Sequence, residues 1–213
     1  MDPLQDAIAQ LREVFARYPV RAVLEGCPHC RGDVSADHPD LFALSLRLGN
    51  TVGTHDDLKS FLPTLFAELV TSGELDETVV VGRLDGWREW PEDEREAVAG
   101  FLLASWSALL ARYPAQLGSF RDAAGFLLAV QPMVATLEKF LQVWERTRTR
   151  PADRHLADTV DHWVHSGREL SPYVVAWLHR PHIRTRLYLA FSADPAAADA
   201  DLFARAFDFL GTG

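Results

Sequence analysis

The chain of 213 residues is long enough to bury a sizeable core, and its 48% apolar and 24% charged fractions are ordinary for a globular protein. Its formal charge of −9 is concentrated in residues 1–100, which hold 19 acids and 9 bases, so we expect no binding of nucleic acid by this half. No apolar run is long enough to cross a membrane and no basic start precedes an apolar block, so we expect a cytoplasmic protein without a membrane partner.

The N-terminal residues predict a helix, then a loop, then a short helix. Asp2 and Pro3 fit a helix cap and a first helical position, and an apolar stripe continues from there to about Tyr18. Residues 20–37 contain glycines, a proline and both cysteines but no sustained periodicity, so we expect an irregular loop. A second helix is expected over residues 39–48.

The stretch from Thr51 to Leu69 predicts a core helix. The hydroxyl of Thr54 fits an N-cap that accepts from the backbone N–H of Asp57, and two carboxylates suit the positive end of the helix dipole. Apolar residues then recur at three- and four-residue spacing: Leu58, Phe61, Leu62, Leu65, Phe66 and Leu69. Pro63 removes one backbone hydrogen bond, so we expect a kink near residues 59–61.

The rest of the chain also has helical signals. Residues 77–85 fit a strand or a helix, and we favour a short helix because no partner strand is evident. Pro91 and the acids after it suit the start of a helix that reaches Tyr113 and Pro114. Prolines or Ser/Asp caps open most of the later predicted helices, which cover residues 119–130, 132–148, 152–166, 172–179, 181–191 and 197–210.

These elements predict an all-α fold of about ten or eleven helices, arranged as stacked helical hairpins or as an irregular bundle. We expect a single domain over residues 1–213, with residues 147–154 as the best position for an internal boundary. All six tryptophans stand within apolar helical patterns and are expected in the core: Trp87, Trp90, Trp106, Trp144, Trp163 and Trp177.

The CPHC motif at residues 27–30 is a candidate metal site. Cys27 and Cys30 have the spacing at which two thiolates bind one tetrahedral zinc ion, which would need two further ligands. His29, His38 and His55 are the nearest candidates for them. Ordinary reduced cysteines and redox-active thiols are the alternatives, although the redox interpretation lacks the usual βαβ context.

Several segments in the first half resemble a group of uncharacterised bacterial helical proteins. The segments are CPHC at 27–30, TVGTHDDLKSFLP at 51–63, GW at 86–87, WP at 90–91 and FLLASW at 101–106. The group has CPxC, a TWGDxxDFKHFLP-like segment, GW, WP and FLxAxW in this order. The chain departs from that pattern at Val52, Thr54, Leu58 and Ser60, which replace Trp, Asp, Phe and His. The resemblance implies a helical fold and no particular reaction.

Two polar clusters mark the second half. His155, Asp158, His162 and His165 recur along one helix face, opposite its apolar side, and we expect a solvated stripe in preference to a metal or acid–base site. The arginine-rich segments could bind an anion or an acidic partner, but their spacing favours solvated side chains or ion pairs within the fold. Their basic residues are Arg146, Arg148, Arg150, Arg154, Arg180, His182, Arg184 and Arg186.

The sequence contains no phosphate-binding glycine loop, no dinucleotide fingerprint, no nucleophile elbow and no HExxH. We therefore interpret the chain as a non-enzymatic helical module that binds another protein, with a structural zinc ion at the CPHC loop. The alternative is a metal- or thiol-dependent enzyme, or a redox or metal sensor, that uses Cys27 and Cys30.

Overall fold

The structure is a computed structural model that describes residues 2–27, 32–37, 39–84, 86–165 and 170–211. The predicted all-α fold is confirmed, with 63% helix, 4% strand and eleven α-helices in the described ranges. Among the described helices, none combines the length and the apolar character that a bilayer span requires.

The chain divides into two compact units, which are described separately. The first unit comprises Met1–Ser105 and Leu117–Phe120, and the second comprises Trp106–Gln116 and Arg121–Gly213. The predicted boundary at residues 147–154 lies within the second unit. The single-domain organisation stays a prediction.

The first unit contains two short strands, four helices and the start of a fifth. Its elements are α1 (Pro3–Phe15), β1 (Val23–Leu24), β2 (Val34–Ser35), α2 (Leu41–Ser45), α3 (His55–Thr71), α4 (Glu77–Gly82), a 3-10 turn (Trp87–Glu89) and most of α5 (Glu92–Leu110). α1 packs on α3, and the rings of Phe66 and Phe101 stack with centroids 4.5 Å apart. α3 is therefore the central helix of this unit.

The core of the second unit contains three tryptophan rings in contact. Its helices are the end of α5, α6 (Ala123–Val130), α7 (Glu138–Arg146), α8 (Arg150–His165), α9 (Pro172–Leu178), α10 (Pro181–Ala193) and α11 (Ala200–Phe209). Trp144 contacts Trp106 and Trp177, with centroid distances of 5.1 and 5.3 Å, and all three are buried. The prediction that the other tryptophans are core residues was wrong, because Trp87, Trp90 and Trp163 are only half-buried.

The predicted helix starts agree best where a side-chain cap is present. Asp2 caps α1, Thr54 caps α3 and Asp76 caps α4, which confirms the helical interpretation for residues 77–82. Three later helices begin further along than predicted, and one of them is α11, which begins at Ala200. Asp122 caps α6 at residue 123, and α7 begins only at Glu138.

Gly118 fixes the return of residues 117–120 to α3. Ser119 donates its backbone N–H to the carbonyl oxygen of Leu69, at 2.8 Å. Gly118 has φ +52°, and a Cβ there would lie 2.3 Å from the same carbonyl oxygen and 2.5 Å from that of Ser72. Only glycine fits both this backbone conformation and this close approach.

Gly118→Ala is expected to lower the free energy of unfolding by roughly 1–3 kcal/mol, because the methyl group would overlap backbone atoms at a positive φ. Gly100→Ala is the matched control, since Gly100 lies within α5 and a Cβ there meets no atom within 4 Å. That change should raise stability by about 0.5–1 kcal/mol. Urea denaturation of both variants measures the difference, and equal stabilities would contradict the packing described for Gly118.

Candidate functional site

The CPHC motif stands between the two strands of the hairpin. β1 pairs antiparallel with β2, with Val23 opposite Ser35 and Leu24 opposite Val34. Cys27 is half-buried, three residues after β1. A Cβ at Gly26 would lie only 1.7 Å from the carbonyl oxygen of Gly32, so glycine is required for the two ends of the loop to meet. The irregular loop predicted for residues 20–37 is thus partly a hairpin.

Backbone hydrogen bonds hold this hairpin against the segment that leads into α3. Cys27 donates its N–H to the carbonyl oxygen of Thr51 at 2.9 Å, and Gly53 donates to Glu25 at 2.8 Å. Between these bonds Gly26 and Val52 form an antiparallel bridge. The segment after β1 is therefore bonded to residues 51–53, and Cys27 lies next to the residues that precede the start of α3.

The structure describes two of the five predicted metal ligands, Cys27 and His55. His55 is the first residue of α3 and its side chain is exposed. His29, Cys30 and His38 lie outside the described residues. Within the described ranges, no group of three or more His, Cys, Asp or Glu side chains could hold a metal ion. The zinc site stays a prediction.

Asp57 ties the start of α3 to the segment after α1. Its carboxylate accepts from Nε of Arg21 at 2.7 Å and from the backbone N–H of Thr54 at 2.6 Å. Thr54 in return caps the N–H of Asp57, which completes a reciprocal capping box. The hydrogen bond from Arg21 is the main reason that the pKa of Asp57 falls to about 2, despite burial of the carboxyl group.

A buried ion pair lies one turn further along α3. Lys59 Nζ donates to Oε2 of Glu94 at 2.7 Å and to the hydroxyl oxygen of Tyr18 at 3.2 Å. The Tyr18 hydroxyl donates to the other oxygen of Glu94 at 2.6 Å, and the Lys59 ammonium lies 4.4 Å from the ring centre of Trp90. Glu94 is fully buried and Lys59 is 8% exposed. These four residues form what we name the lysine cluster.

The lysine cluster favours charged Lys59. Burial lowers the pKa of Lys59, but hydrogen bonds to Glu94 and Tyr18 outweigh burial and raise it overall. Burial and the hydrogen bond to Glu94 raise the pKa of Tyr18, which keeps its hydroxyl protonated. Lys59, Tyr18 and Glu94 bond to one another, so the chemistry of the cluster is that of a structural ion pair.

Sequence reasoning missed this cluster. Glu94 was explained only by the positive end of the α5 dipole, and Lys59 was not counted on the apolar face of α3. One signal was available in the spacing. Lys59 precedes Leu62 by three residues and Phe66 by seven, which places it on the buried side of the helix.

The expected solvated stripe on α8 is wrong for its first member. His155 is 1% exposed, and its Nε2 lies 2.8 Å from the carbonyl oxygen of Arg112. It lies at the edge of the arc formed by buried Ala152, Leu156 and Thr159, and so turns inward. His162 and His165, about two and three turns later, are half-buried and exposed respectively, and lie beside Asp158 and Asp161 at 3.6 and 3.4 Å.

Five of the eight basic residues named from the sequence of the second half form ion pairs within the second unit, which is one of the two roles that their spacing favours. Arg186 is 3% exposed and donates to Asp153 at 2.5 Å and to the carbonyl oxygens of Trp144 and Thr147 at 2.7 and 2.6 Å. Burial raises the pKa of Asp153 even beside this guanidinium. The other pairs join Arg150 and Arg154 to Asp199, and Arg180 and His182 to Glu145.

Comparisons of the chain with known protein families, with characterised proteins and with solved structures found no match. The resemblance to uncharacterised helical proteins stays an expectation from the sequence.

Asp57→Asn is expected to lower the free energy of unfolding at pH 7 by about 2 kcal/mol, because the folded-state pKa lies about two units below its ordinary value. A carboxyl group with a lowered folded pKa stabilises above its unfolded pKa of 3.8 and loses that effect as the pH falls through about 2. The gap between wild type and Asp57→Asn should therefore close between about pH 5 and pH 2. Denaturant titrations at each pH measure it, with exposed Asp56→Asn as control. A gap that stays constant would contradict the role of Asp57.

Lys59→Met and Glu94→Gln are each expected to lower the free energy of unfolding by about 3–5 kcal/mol, because each leaves a buried partner without its counter-charge. The double variant should be less destabilised than the sum of the two, since both charges are then absent. Denaturant unfolding of the four proteins gives the coupling. Lys139→Met is the matched control, because Lys139 is the other lysine and is exposed. Additive losses would show that the pair does not couple.

Proposed function

We propose that this protein is a cytoplasmic, non-enzymatic helical module that binds another protein, and that the CPHC loop holds a structural zinc ion. The zinc joins the hairpin to the start of α3. Its ligands are Cys27 and Cys30, with two nitrogens from His29, His38 and His55. The observation that supports this most directly is the hydrogen-bonded attachment of Cys27 to Thr51, four residues before His55.

The position of the motif in a tight hairpin supports metal binding. In structural zinc sites, a CxxC pair supplies two thiolates from one turn, and the remaining ligands come from a neighbouring element. Here the two strands bring the ends of the loop together, and the N–H of Gly26 donates to the carboxylate of Asp33 at 3.1 Å. This bond constrains the loop from outside the motif.

His55 suits the role of a ligand from the neighbouring element. Its side chain is exposed, and among the described residues it has no hydrogen bond or ion pair. Capping of α3 is performed by Thr54 and Asp57 instead. His55 can therefore bind a metal without loss of the helix cap, and neutral imidazole nitrogen is a preferred zinc ligand.

A binding role in preference to catalysis is supported by the use of the buried charges. Lys59 pairs with Glu94 in the first unit, and Arg186 in the second unit pairs with Asp153 and bonds to two backbone carbonyls. Groups that act on a substrate need a free face toward a cleft. These pairs stabilise their own units instead.

Metal content and free thiols per chain, measured on protein purified under reducing conditions without a histidine tag, test the zinc assignment. About one zinc per chain is expected, with both thiols protected from alkylation until a chelator is added. Cys27→Ser should abolish zinc binding, and His55→Ala should weaken it by roughly 10-fold or more. His165→Ala is the matched control, because His165 is an exposed histidine on α8.

Protein without zinc would overturn the metal site. If its thiols were also unusually reactive, the thiol-dependent enzyme or redox sensor would replace the proposal. Full zinc binding in Cys27→Ser would move the site elsewhere in the chain. Turnover of a defined substrate by purified protein would exclude the non-enzymatic role.

A further inference from the structure

His155 joins α8 to the C-terminal turn of α5 inside the second unit. Its Nε2 lies 3.1 Å from the carbonyl oxygen of Leu109 and 2.8 Å from that of Arg112. Carbonyl oxygens only accept hydrogen bonds, so Nε2 must carry a proton. The ring thus caps two carbonyl oxygens, one in the last turn of α5 and one two residues after it.

The other ring nitrogen has the opposite environment. Nδ1 of His155 is buried and has no hydrogen-bond partner in the described part of the chain. With Nε2 protonated, the neutral ring presents a bare lone pair at Nδ1, which burial tolerates better than a charged donor. A second proton would create a buried cation with an N–H that meets no acceptor.

The charges around the ring are few. Asp158 on the same helix and Asp122 at the start of α6 raise the pKa of His155, as do the two carbonyls, but burial lowers it more. The rings of Tyr113 and His155 meet edge to face, with centroids 4.9 Å apart. The guanidinium of Arg154 lies over the Tyr113 ring, 4.1 Å from its centre. The helices α10 and α11 also pack on α8, and each has an arginine that forms an ion pair with a carboxylate of α8. These pairs are Arg186 with Asp153 and Arg205 with Asp161.

We propose that His155 is a pH-sensitive latch, which holds α8 against the end of α5 while neutral and releases it when acidification protonates Nδ1. The device is independent of the zinc site, since all its parts lie in the second unit. It makes the packing of α8 respond to acidification in a range where most carboxylates remain ionised.

The direction of the pH effect follows from linkage. A histidine whose folded pKa lies below its unfolded value of about 6.5 stabilises the fold above pH 6.5. That stability is lost as the pH falls toward the folded pKa. Within this window, each unit by which the pH falls raises the equilibrium constant for opening of α8 by up to tenfold.

Protection of the backbone amides of α8 from hydrogen exchange, measured on the full chain from pH 7.5 to 5, tests the latch. In wild type, protection factors in α8 should fall as the pH drops below 6.5, by up to tenfold per unit. His155→Gln keeps an amide donor near the carbonyls and does not titrate, so its protection factors should stay level. His165→Gln, at an exposed position, should behave as wild type.

A titration of the wild-type histidines by NMR decides the case even if His155→Gln folds poorly. The latch requires the Nε2–H tautomer at neutral pH and a pKa below 6.5 for His155. A pKa at or above 6.5, or the Nδ1–H tautomer, would overturn it. An equal pH dependence of α8 protection in wild type and His155→Gln would also overturn it.

Discussion

The buried ion pair between Lys59 and Glu94 is the constraint on which the first unit depends. A carboxylate with no exposure to water is tolerated only when its counter-charge and hydrogen-bond donors are in place. Lys59 and Tyr18 supply them, and the ring of Trp90 covers the ammonium group. The ion pair therefore links α3 to the start of α5 and to Tyr18 after α1.

The same logic recurs at helix ends. Arg186 donates to the carbonyl oxygens of Trp144 and Thr147 at the end of α7, and His155 serves Leu109 and Arg112 at the end of α5. Each side chain comes from a different helix from the one it caps. Cross-helix caps satisfy buried carbonyls and specify which helices pack together. The second unit therefore uses polar groups for specificity around a tryptophan core.

Local signals in the sequence were sufficient to predict the helices and the starts of α1, α3 and α4. Asp2, Thr54 and Asp76 act within three residues of themselves, so their caps can be predicted without tertiary structure. The hairpin could not be predicted, because Leu24 pairs with Val34 across a loop and Gly26 forms a bridge with Val52. Long-range partners also explain His155. Its position on α8 predicted a solvent-exposed side chain, but the carbonyls that it contacts belong to residues more than forty positions earlier in the sequence.

The residue types and spacing of the candidate zinc site were predicted from the sequence, but its location in the fold was predicted only in part. The spacing of Cys27 and Cys30 indicates a zinc ligand pair. The attachment of Cys27 to the segment before α3 depends on its hydrogen bond to Thr51, which the spacing does not reveal. The polar side chains of the lysine cluster remained unassigned because Lys59 and Glu94 are 35 residues apart. Single-residue patterns do not reveal pairs of this kind.

X-ray absorption at the zinc edge of the purified protein tests the central claim most directly, because it identifies the atoms bound to the metal. The account predicts about two sulfur ligands near 2.3 Å and two nitrogen ligands near 2.0–2.1 Å. A first shell of nitrogen and oxygen without sulfur, or protein with no bound zinc, would contradict it.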